Sequence, residues 1–454
     1  MILKKIRSEG LAHLSYLVGS DGRAAVIDPR RDCQVYLDIA EEEGLRITEI
    51  LETHRNEDYI TGSRELASMT GARIRHGELD FGYGETIREG EEIELGQALL
   101  RALSTPGHTP ESMSYALVDR SSGPEVIGVF TGDALFVGET GRTDLLGHDR
   151  IEELASMLFV SLHDKIVPLG PGAIIYPAHG AGSACGGNIS NREESTIGLE
   201  LSQNRMLKIA DKERFVAIKR EEKIEKPYYF ETMEDINLKG QPVLGRLPQP
   251  PPLSPREFHS MADGRVVLDI RKPTAFASAH IAGSTSIPLE VMASYVGWVL
   301  GYDRPLLLVL DENGDIIEVV RELIRVGYDR IDGYLRDGLE GWTKAGLPVS
   351  SFPVIDPHDL RRRLTDGDIF VLDVRMNKEW EAGHIDGAKH IFVGYLEEHL
   401  DEVPRDRPVA VMCSSGLRGS LGAGLLKKHG RRNVLNVLGG MGGWAKAGFP
   451  VTDQ

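Results

Sequence analysis

Apolar positions in the first 130 residues recur in short blocks at strand spacing. Residues 14–18 and 24–27 are two such blocks. Ser20-Asp21-Gly22 separates them and predicts a tight hairpin. Over residues 33–43 the pattern changes: Val35, Leu37, Ile39 and Ala40 stand among polar residues and Gly44 supplies a stop, which predicts a helix. The run 47–51 reads as a buried strand leading to a helix start. Further strands are predicted at 92–95, 99–103, 114–117 and 126–130, with more helices after Asp149. This order fits an α/β sandwich.

Between Pro227 and Pro255 the character shifts. Pro248-Gln249-Pro250-Pro251-Pro252-Leu253-Ser254-Pro255 predicts an extended spacer. Beyond it lies a duplication. Leu268-Asp269-Ile270-Arg271 returns as Leu372-Asp373-Val374-Arg375, 104 residues on, and His280-Ile281-Ala282-Gly283 returns as His384-Ile385-Asp386-Gly387. Gly341-Trp342-Thr343-Lys344-Ala345-Gly346 returns as Gly443-Trp444-Ala445-Lys446-Ala447-Gly448, 102 residues on. Each copy opens with a capping residue before proline, Ser254-Pro255 and Asp356-Pro357. Strands alternate with helices in both, so each copy is expected to hold a parallel sheet covered on two faces. The expected domains are 1–235, a linker 236–253, and copies at 254–350 and 351–454.

A chain of 454 residues is too long for one ordinary core. Its net charge of −17 argues against nucleic acid or an anionic membrane as partner. The sequence has no apolar run of membrane-spanning length and no export signal, so a cytoplasmic protein is expected. Cys33, Cys185 and Cys413 are too few and scattered for a disulfide framework, which directs attention to reactive thiols. A homo-oligomer is expected.

Four strand ends in the first half carry residues suited to chemistry. Glu52-Thr53-His54-Arg55-Asn56-Glu57-Asp58-Tyr59 follows 47–51, and Thr105-Pro106-Gly107-His108 follows 99–103. Thr131-Gly132-Asp133 follows 126–130, and Tyr176-Pro177-Ala178-His179 follows 173–175. The first turn resembles the His-x-His-x-Asp-His metal motif of metallo-β-lactamase-fold proteins, with Asn56 and Tyr59 replacing two histidines. With Gly141-Arg142-Thr143-Asp144, the set is similar over about residues 1–235 to the persulfide dioxygenases of that superfamily, and the resemblance implies an α/β fold of the αββα sandwich kind there. The resemblance implies one mononuclear Fe(II) on His54, His108 and Asp133, with zinc an alternative occupant of purified protein. Two histidines and a carboxylate are the ligand set of non-haem Fe(II) oxygenases, with positions left open for substrate and O2.

The same resemblance makes Asp58 and His179 groups that orient ligands or water, in a shell altered by Asn56 and Tyr59. For His179 a structural role stays open. Arg142 either holds an anionic substrate or pairs with Asp144. Cys185, just past His179, either takes up and hands on sulfane sulfur or is an ordinary loop cysteine. Cys33 is expected to pack.

Residues 408–412 read as a buried strand ending in Cys413-Ser414-Ser415-Gly416-Leu417-Arg418, followed by a helix to Lys428. A helix N-terminus above a cysteine favours its thiolate. Gly416 permits the tight turn and Arg418 adds positive charge. Residues 351–454 resemble rhodanese-family sulfurtransferases in the Asp-x-Arg strand, the run Gly383 to Ala388, the Cys-x-x-Gly-x-Arg loop and the closing Gly-Gly-Trp. The resemblance implies Cys413 as the sulfur-accepting nucleophile. Ser414, Ser415, Gly416, Leu417 and Arg418 then form its persulfide loop. Asp373 and Arg375 are expected to be a structural pair. At an offset of 102, Asp311 falls at the position of Cys413 and Ile316 at that of Arg418, in a loop that also holds Glu312 and Asp315. A carboxylate cannot accept sulfane sulfur. The middle copy is therefore expected to be inactive and to serve spacing, docking or dimer contact.

The expectation is an enzyme that oxidises the terminal sulfur of a low-molecular-weight thiol persulfide with O2 to sulfite. Cys413 would then convert sulfite to thiosulfate. Two rivals stand beside it. One is a two-metal hydrolase of the glyoxalase II kind, fused to a sulfurtransferase. The other is a sulfurtransferase with a metal-free N-terminal scaffold.

Overall fold

The computed structural model describes residues 1–8, 10–311 and 314–453. The chain divides into two compact units, Met1–Leu247 with Ile324–Gly327, and Pro248–Leu323 with Tyr328–Gln454.

In the first unit, alternation along the strands sends successive side chains to opposite faces. Tyr16, Val18, Ala25 and Ile27 meet Leu100, Tyr115, Leu117 and Phe130 in one buried cluster between two sheets. The intervening Leu17, Ala24 and Val26 pack outward on Cys33, Tyr36 and Leu66, under helices Gln34–Glu42 and Ser63–Thr70. On the far side, Val129 and Ile175 pack on Ala155 and Leu158 of helix Ile151–Val160 and on Phe215 of helix Lys212–Glu221. This is the expected αββα sandwich.

Each sheet has six strands. One runs Ile2–Ser8, His13–Ser20, Arg23–Ile27, Arg46–Leu51, Arg73–His76, Glu85–Thr86 in neighbour order. The other runs Ser195–Thr196, Ile174–Pro177, Val126–Gly132, Met113–Asp119, Ala98–Ser104, Glu92–Leu95. Asp21 and Gly22 take φ of 50° and 78°, the double positive φ of the tight hairpin turn predicted there. Burying one Leu or Phe side chain contributes about 1.5–3 kcal/mol. The inter-sheet seam therefore fixes the sheets against each other far more firmly than any loop contact, and the strand-end loops ride on that frame.

The boundary expected at 235 falls inside helix Phe230–Lys239. The expected spacer ends early, because Pro252–Leu253 pairs with Ile331–Leu335. An edge strand tolerates proline, which has no N–H to donate.

The second unit shows the duplication as two five-stranded parallel sheets of one topology. The first runs Pro252–Leu253, Ile331–Leu335, Leu306–Val309, Val266–Asp269, Thr285–Ser286. The second runs Val354–Ile355, Val434–Val437, Val409–Met412, Phe370–Asp373, Lys389–His390. Asp269 pairs with Val309, and Asp373 pairs with Met412. That register corrects the alignment at offset 102: the residue equivalent to Cys413 is the buried Leu310, one before Asp311. Glu312 of that loop lies outside the described residues. Within this unit, Trp298 of helix Met292–Val299 packs its ring 4.9 Å from Phe392 and 5.5 Å from Tyr395. Among the described residues no helix is long and apolar enough to cross a membrane.

Candidate metal centre and thiol loop

His54 lies just past strand Arg46–Leu51, His108 past Ala98–Ser104, Asp133 past Val126–Gly132 and His179 past Ile174–Pro177. Two glycines let these ends meet. Gly132 has φ of 52°, and a Cβ there would stand 2.7 Å from the Thr53 side chain. Gly107 has φ of 144°, and a Cβ would press 2.4 Å from Leu158 of the covering helix. Neither a β-carbon nor an ordinary φ fits at these positions.

The Nε2 atoms of His54 and His108 stand 3.7 and 3.6 Å from Asp133 Oδ2. The two rings are 5.0 Å apart and nearly perpendicular. All three side chains are buried, and one donor atom of each lies within 4.8 Å of the others. The bonds behind the rings set their tautomers. His108 Nδ1–H donates to the Arg142 carbonyl at 3.0 Å. Thr53 Oγ1 donates to Asp28 Oδ2 at 2.8 Å, so it accepts from His54 Nδ1, 2.9 Å away. Both Nε2 atoms therefore face inward as lone-pair donors once deprotonated. His54 Nε2 is buried without a hydrogen-bond partner. Burial opposes a charge on His54, yet Asp133 and Glu57 outweigh it and raise its pKa to about 9. A metal held by these nitrogens would displace protons from the rings.

The residues expected around this triad fall into distinct roles. His179 holds Asp133 through Nδ1 at 2.8 Å and stands 2.9 Å from Asp58 through Nε2. Burial opposes its charge, but Asp133 and Asp58 raise its pKa well above the usual imidazole value. Asn56 turns away from the donors and gives its amide to the His54 carbonyl at 3.2 Å. The Tyr59 ring lies 4.1 Å from that of His13, tilted by 35°. Arg142 grips Asp144 at 2.6 and 2.7 Å and donates to the Ala184 carbonyl at 3.0 Å. It thereby pins the loop that carries Cys185, and its guanidinium is committed to those partners. Cys185 is fully buried, and burial with Asp58 and Glu57 nearby pushes its thiol well up. It forms one donor set with Asp58 and His179, and another with Glu57 and Asp133. Cys33 belongs to the helix-side core, as expected.

In the second unit Cys413 sits at the end of strand Val409–Met412, below helix Leu417–Lys428. Its Sγ accepts a hydrogen bond from the Gly416 amide at 3.0 Å. Gly416 has φ of 103°, which turns that amide back over the sulfur. Arg418 forms a fork on Glu379 at 2.5 and 2.6 Å and donates to Ser414 Oγ at 2.7 Å. The positive charge expected for the loop is thus paired with a carboxylate, and Arg418 fixes the loop's shape. Ser415 is exposed and Leu417 half-buried. Tyr295 of the middle copy is buried within electrostatic reach of Arg418 and Cys413. Asp373 and Arg375 form the expected buried pair, at 2.7 Å, and Arg375 also donates to the Gly383 carbonyl.

Sequence reading missed four of these groups. Glu57 sits inside the first motif at a spacer position, where nothing in the pattern asks for a donor. Asp28 is the acid of Ile27-Asp28-Pro29 at a strand end, with φ of 49°. Glu379 and Tyr295 come to Arg418 from distant segments, and only the folded chain shows them.

A family description, Metallo-beta-lactamase superfamily, matches residues 9–179, and a second, Rhodanese-like domain, matches residues 356–447. The mitochondrial persulfide dioxygenase ETHE1 of Bos taurus is 32% identical over 211 residues, 44% of this chain and 76% of that protein. A sulfurtransferase of Allochromatium vinosum is 34% identical over 98 residues, 21% of this chain and 92% of that protein. The crystal structure of a metallo-beta-lactamase from Staphylococcus aureus superposes with a TM-score of 0.66 at 31% identity, covering 74% of this chain and 99% of that one.

Proposed function

This chain belongs to the metallo-β-lactamase superfamily as a relative of the persulfide dioxygenases and carries a rhodanese-like domain, and on that premise we propose that it is a persulfide dioxygenase coupled to a sulfurtransferase. The overall reaction balances as RSS⁻ + O2 + H2O → RS⁻ + SO3²⁻ + 2 H⁺. The sulfane sulfur gives up four electrons and O2 takes them. One observation carries the reading: two inward Nε2 atoms, each 3.6–3.7 Å from Asp133 Oδ2, in a buried pocket. Fe(II) fits this donor set, held by His54, His108 and Asp133, and when bound it would supply O2 chemistry and charge stabilisation.

The chain's own groups do the rest. Thr53 and the Arg142 carbonyl hold the ring protons away from the pocket. His179 clamps Asp133 from behind. A cavity of about 140 Å³ is lined by His179 together with Lys5, Arg7, Arg192 and Glu193, whose carboxylate pairs with Lys5 and Arg7.

At Cys413, a thiolate takes sulfane sulfur from a second persulfide. The S–S bond of RSS⁻ breaks, RS⁻ leaves, and Cys413–S–S⁻ forms. Sulfite then attacks the outer sulfur, giving thiosulfate and regenerating the thiolate. The Gly416 amide stabilises the anion at each stage. The middle copy, with Leu310 at the cysteine position, is inactive and acts by presenting Tyr295 to Arg418.

A second reading rests on Asp58, His179 and Cys185, a donor set that favours a two-metal hydrolase. An oxygen electrode separates the two. Full-length protein with a low-molecular-weight persulfide is expected to consume one O2 per sulfane sulfur oxidised. Turnover of a thioester with no O2 uptake would reject the dioxygenase.

A further inference from the structure

We infer that Glu57 is a fourth protein ligand of the metal centre, so that two imidazoles and two carboxylates hold the ion. The inference rests on the mononuclear reading of His54, His108 and Asp133. Glu57 is fully buried, and its carboxylate lies on the inner side of both rings. Glu57 Oε1 stands 3.1 Å from His108 Nε2, and Oε2 stands 3.7 Å from His54 Nε2. A Glu57 carboxylate oxygen also lies within 4.8 Å of a carboxylate oxygen of Asp133.

Donors about 2.1 Å from a common ion are separated by about 3.0 Å in an octahedron and about 3.4 Å in a tetrahedron. The 3.1 Å between Glu57 Oε1 and His108 Nε2 falls in that range, and the 3.7 Å between Glu57 Oε2 and His54 Nε2 exceeds it by the same few tenths as the 3.6 and 3.7 Å separations of Asp133 Oδ2 from the two rings. His54 Nε2 is buried with no hydrogen-bond partner, and the Glu57 carboxylate bonds His108 Nε2 through Oε2 at 3.3 Å while Oε1, also buried, has no hydrogen bond of its own.

An ion pair alone does not account for the arrangement once a metal is present. His108 Nδ1–H is committed to the Arg142 carbonyl, so Nε2 can reach Glu57 as a donor only while the ring is doubly protonated. With the Nε2 lone pair given to a metal, that donor hydrogen would be absent. Glu57 would then face the metal and the bare nitrogens with no proton between them. A carboxylate buried in that place either binds the ion or bears an uncompensated desolvation penalty. The sequence also compensates locally. Position 56 offers an amide turned to the backbone where the motif has an imidazole, and position 57 supplies a carboxylate. Four protein donors leave two of six positions open instead of three.

The test uses the full chain, prepared without metal and titrated anaerobically with Fe(II) against a chelator, and separately with Co(II) for its visible spectrum. Wild type is expected to bind one ion at this centre. Glu57→Gln keeps the shape of the side chain and is expected to weaken Fe(II) binding at least about 100-fold, since groups merely behind a ligand already cost 10–100-fold. Its Co(II) spectrum should change as a donor is replaced. Glu57→Asp keeps the charge but withdraws it by one methylene, and it should also lose affinity and shift the Co(II) bands. Wild-type affinity and an unchanged Co(II) spectrum in both variants would overturn the inference while leaving the three-ligand centre standing. A wild-type chain that binds no ion would instead overturn the mononuclear reading on which it rests.

Discussion

Replacing His108 by alanine is expected to abolish Fe(II) binding and persulfide-dependent O2 consumption while sulfur transfer at Cys413 stays within about twofold of the parent. His108 supplies an inward nitrogen fixed from behind by the Arg142 carbonyl, and among the described residues no other imidazole is placed to replace it. His179 is occupied between Asp133 and Asp58. Removing a group that only orients a ligand costs 10–100-fold in metal affinity, so removing a ligand should cost at least about 100-fold. The substitution also leaves Glu57 without its closest cation, and breaking a buried pair can cost about 3–5 kcal/mol. Thermal unfolding must therefore be measured alongside. Cys413 belongs to the other compact unit, so preserved sulfur transfer shows that the second unit is intact, and an unchanged unfolding transition of the first unit shows that lost O2 uptake is not unfolding around His108. O2 consumption at the parental rate in a folded variant would contradict the assignment of His108.

Cys413→Ser is expected to keep O2 uptake and to change the product from thiosulfate to sulfite. Serine retains the volume and still accepts from the Gly416 amide, so the loop should hold its shape. A hydroxyl, with its far higher pKa, neither ionises as a thiol does nor forms a persulfide. The measurement is chromatographic separation of sulfite and thiosulfate after a fixed amount of O2 has been consumed. Unchanged thiosulfate output would contradict the division of labour between the two sites.

Sequence made the frame of both sites legible because burial and alternation impose it directly. The blocks at 14–18 and 24–27 could pack only as a two-sided hairpin, and the turn chemistry of Asp21-Gly22 fixed its register. The strand-end placement of His54, His108, Asp133 and Cys413 followed from apolar runs stopping at polar turns. The duplication was legible because it repeats whole motifs, although its offset drifts. The strand register puts Leu310, not Asp311, opposite Cys413.

What could not be read is how charged side chains are shared. Arg418 looked like a free positive charge, and only the fold brings Glu379 across to it, 39 positions away in sequence. Arg142 had two readings until Asp144 and the Ala184 carbonyl were seen to occupy it. Glu57 sits at a position the motif leaves unspecified, and its rotamer toward His108 depends on the turn that Asn56 closes.

The central claim is a single redox-active ion on His54, His108 and Asp133. The most direct test is metal analysis of full-length chain purified without oxygen and reconstituted with Fe(II), with O2 consumption measured on the same sample. The account predicts one iron per chain and O2 uptake proportional to iron content. Two zinc ions per chain with no O2 uptake, or no bound metal in folded protein, would contradict it.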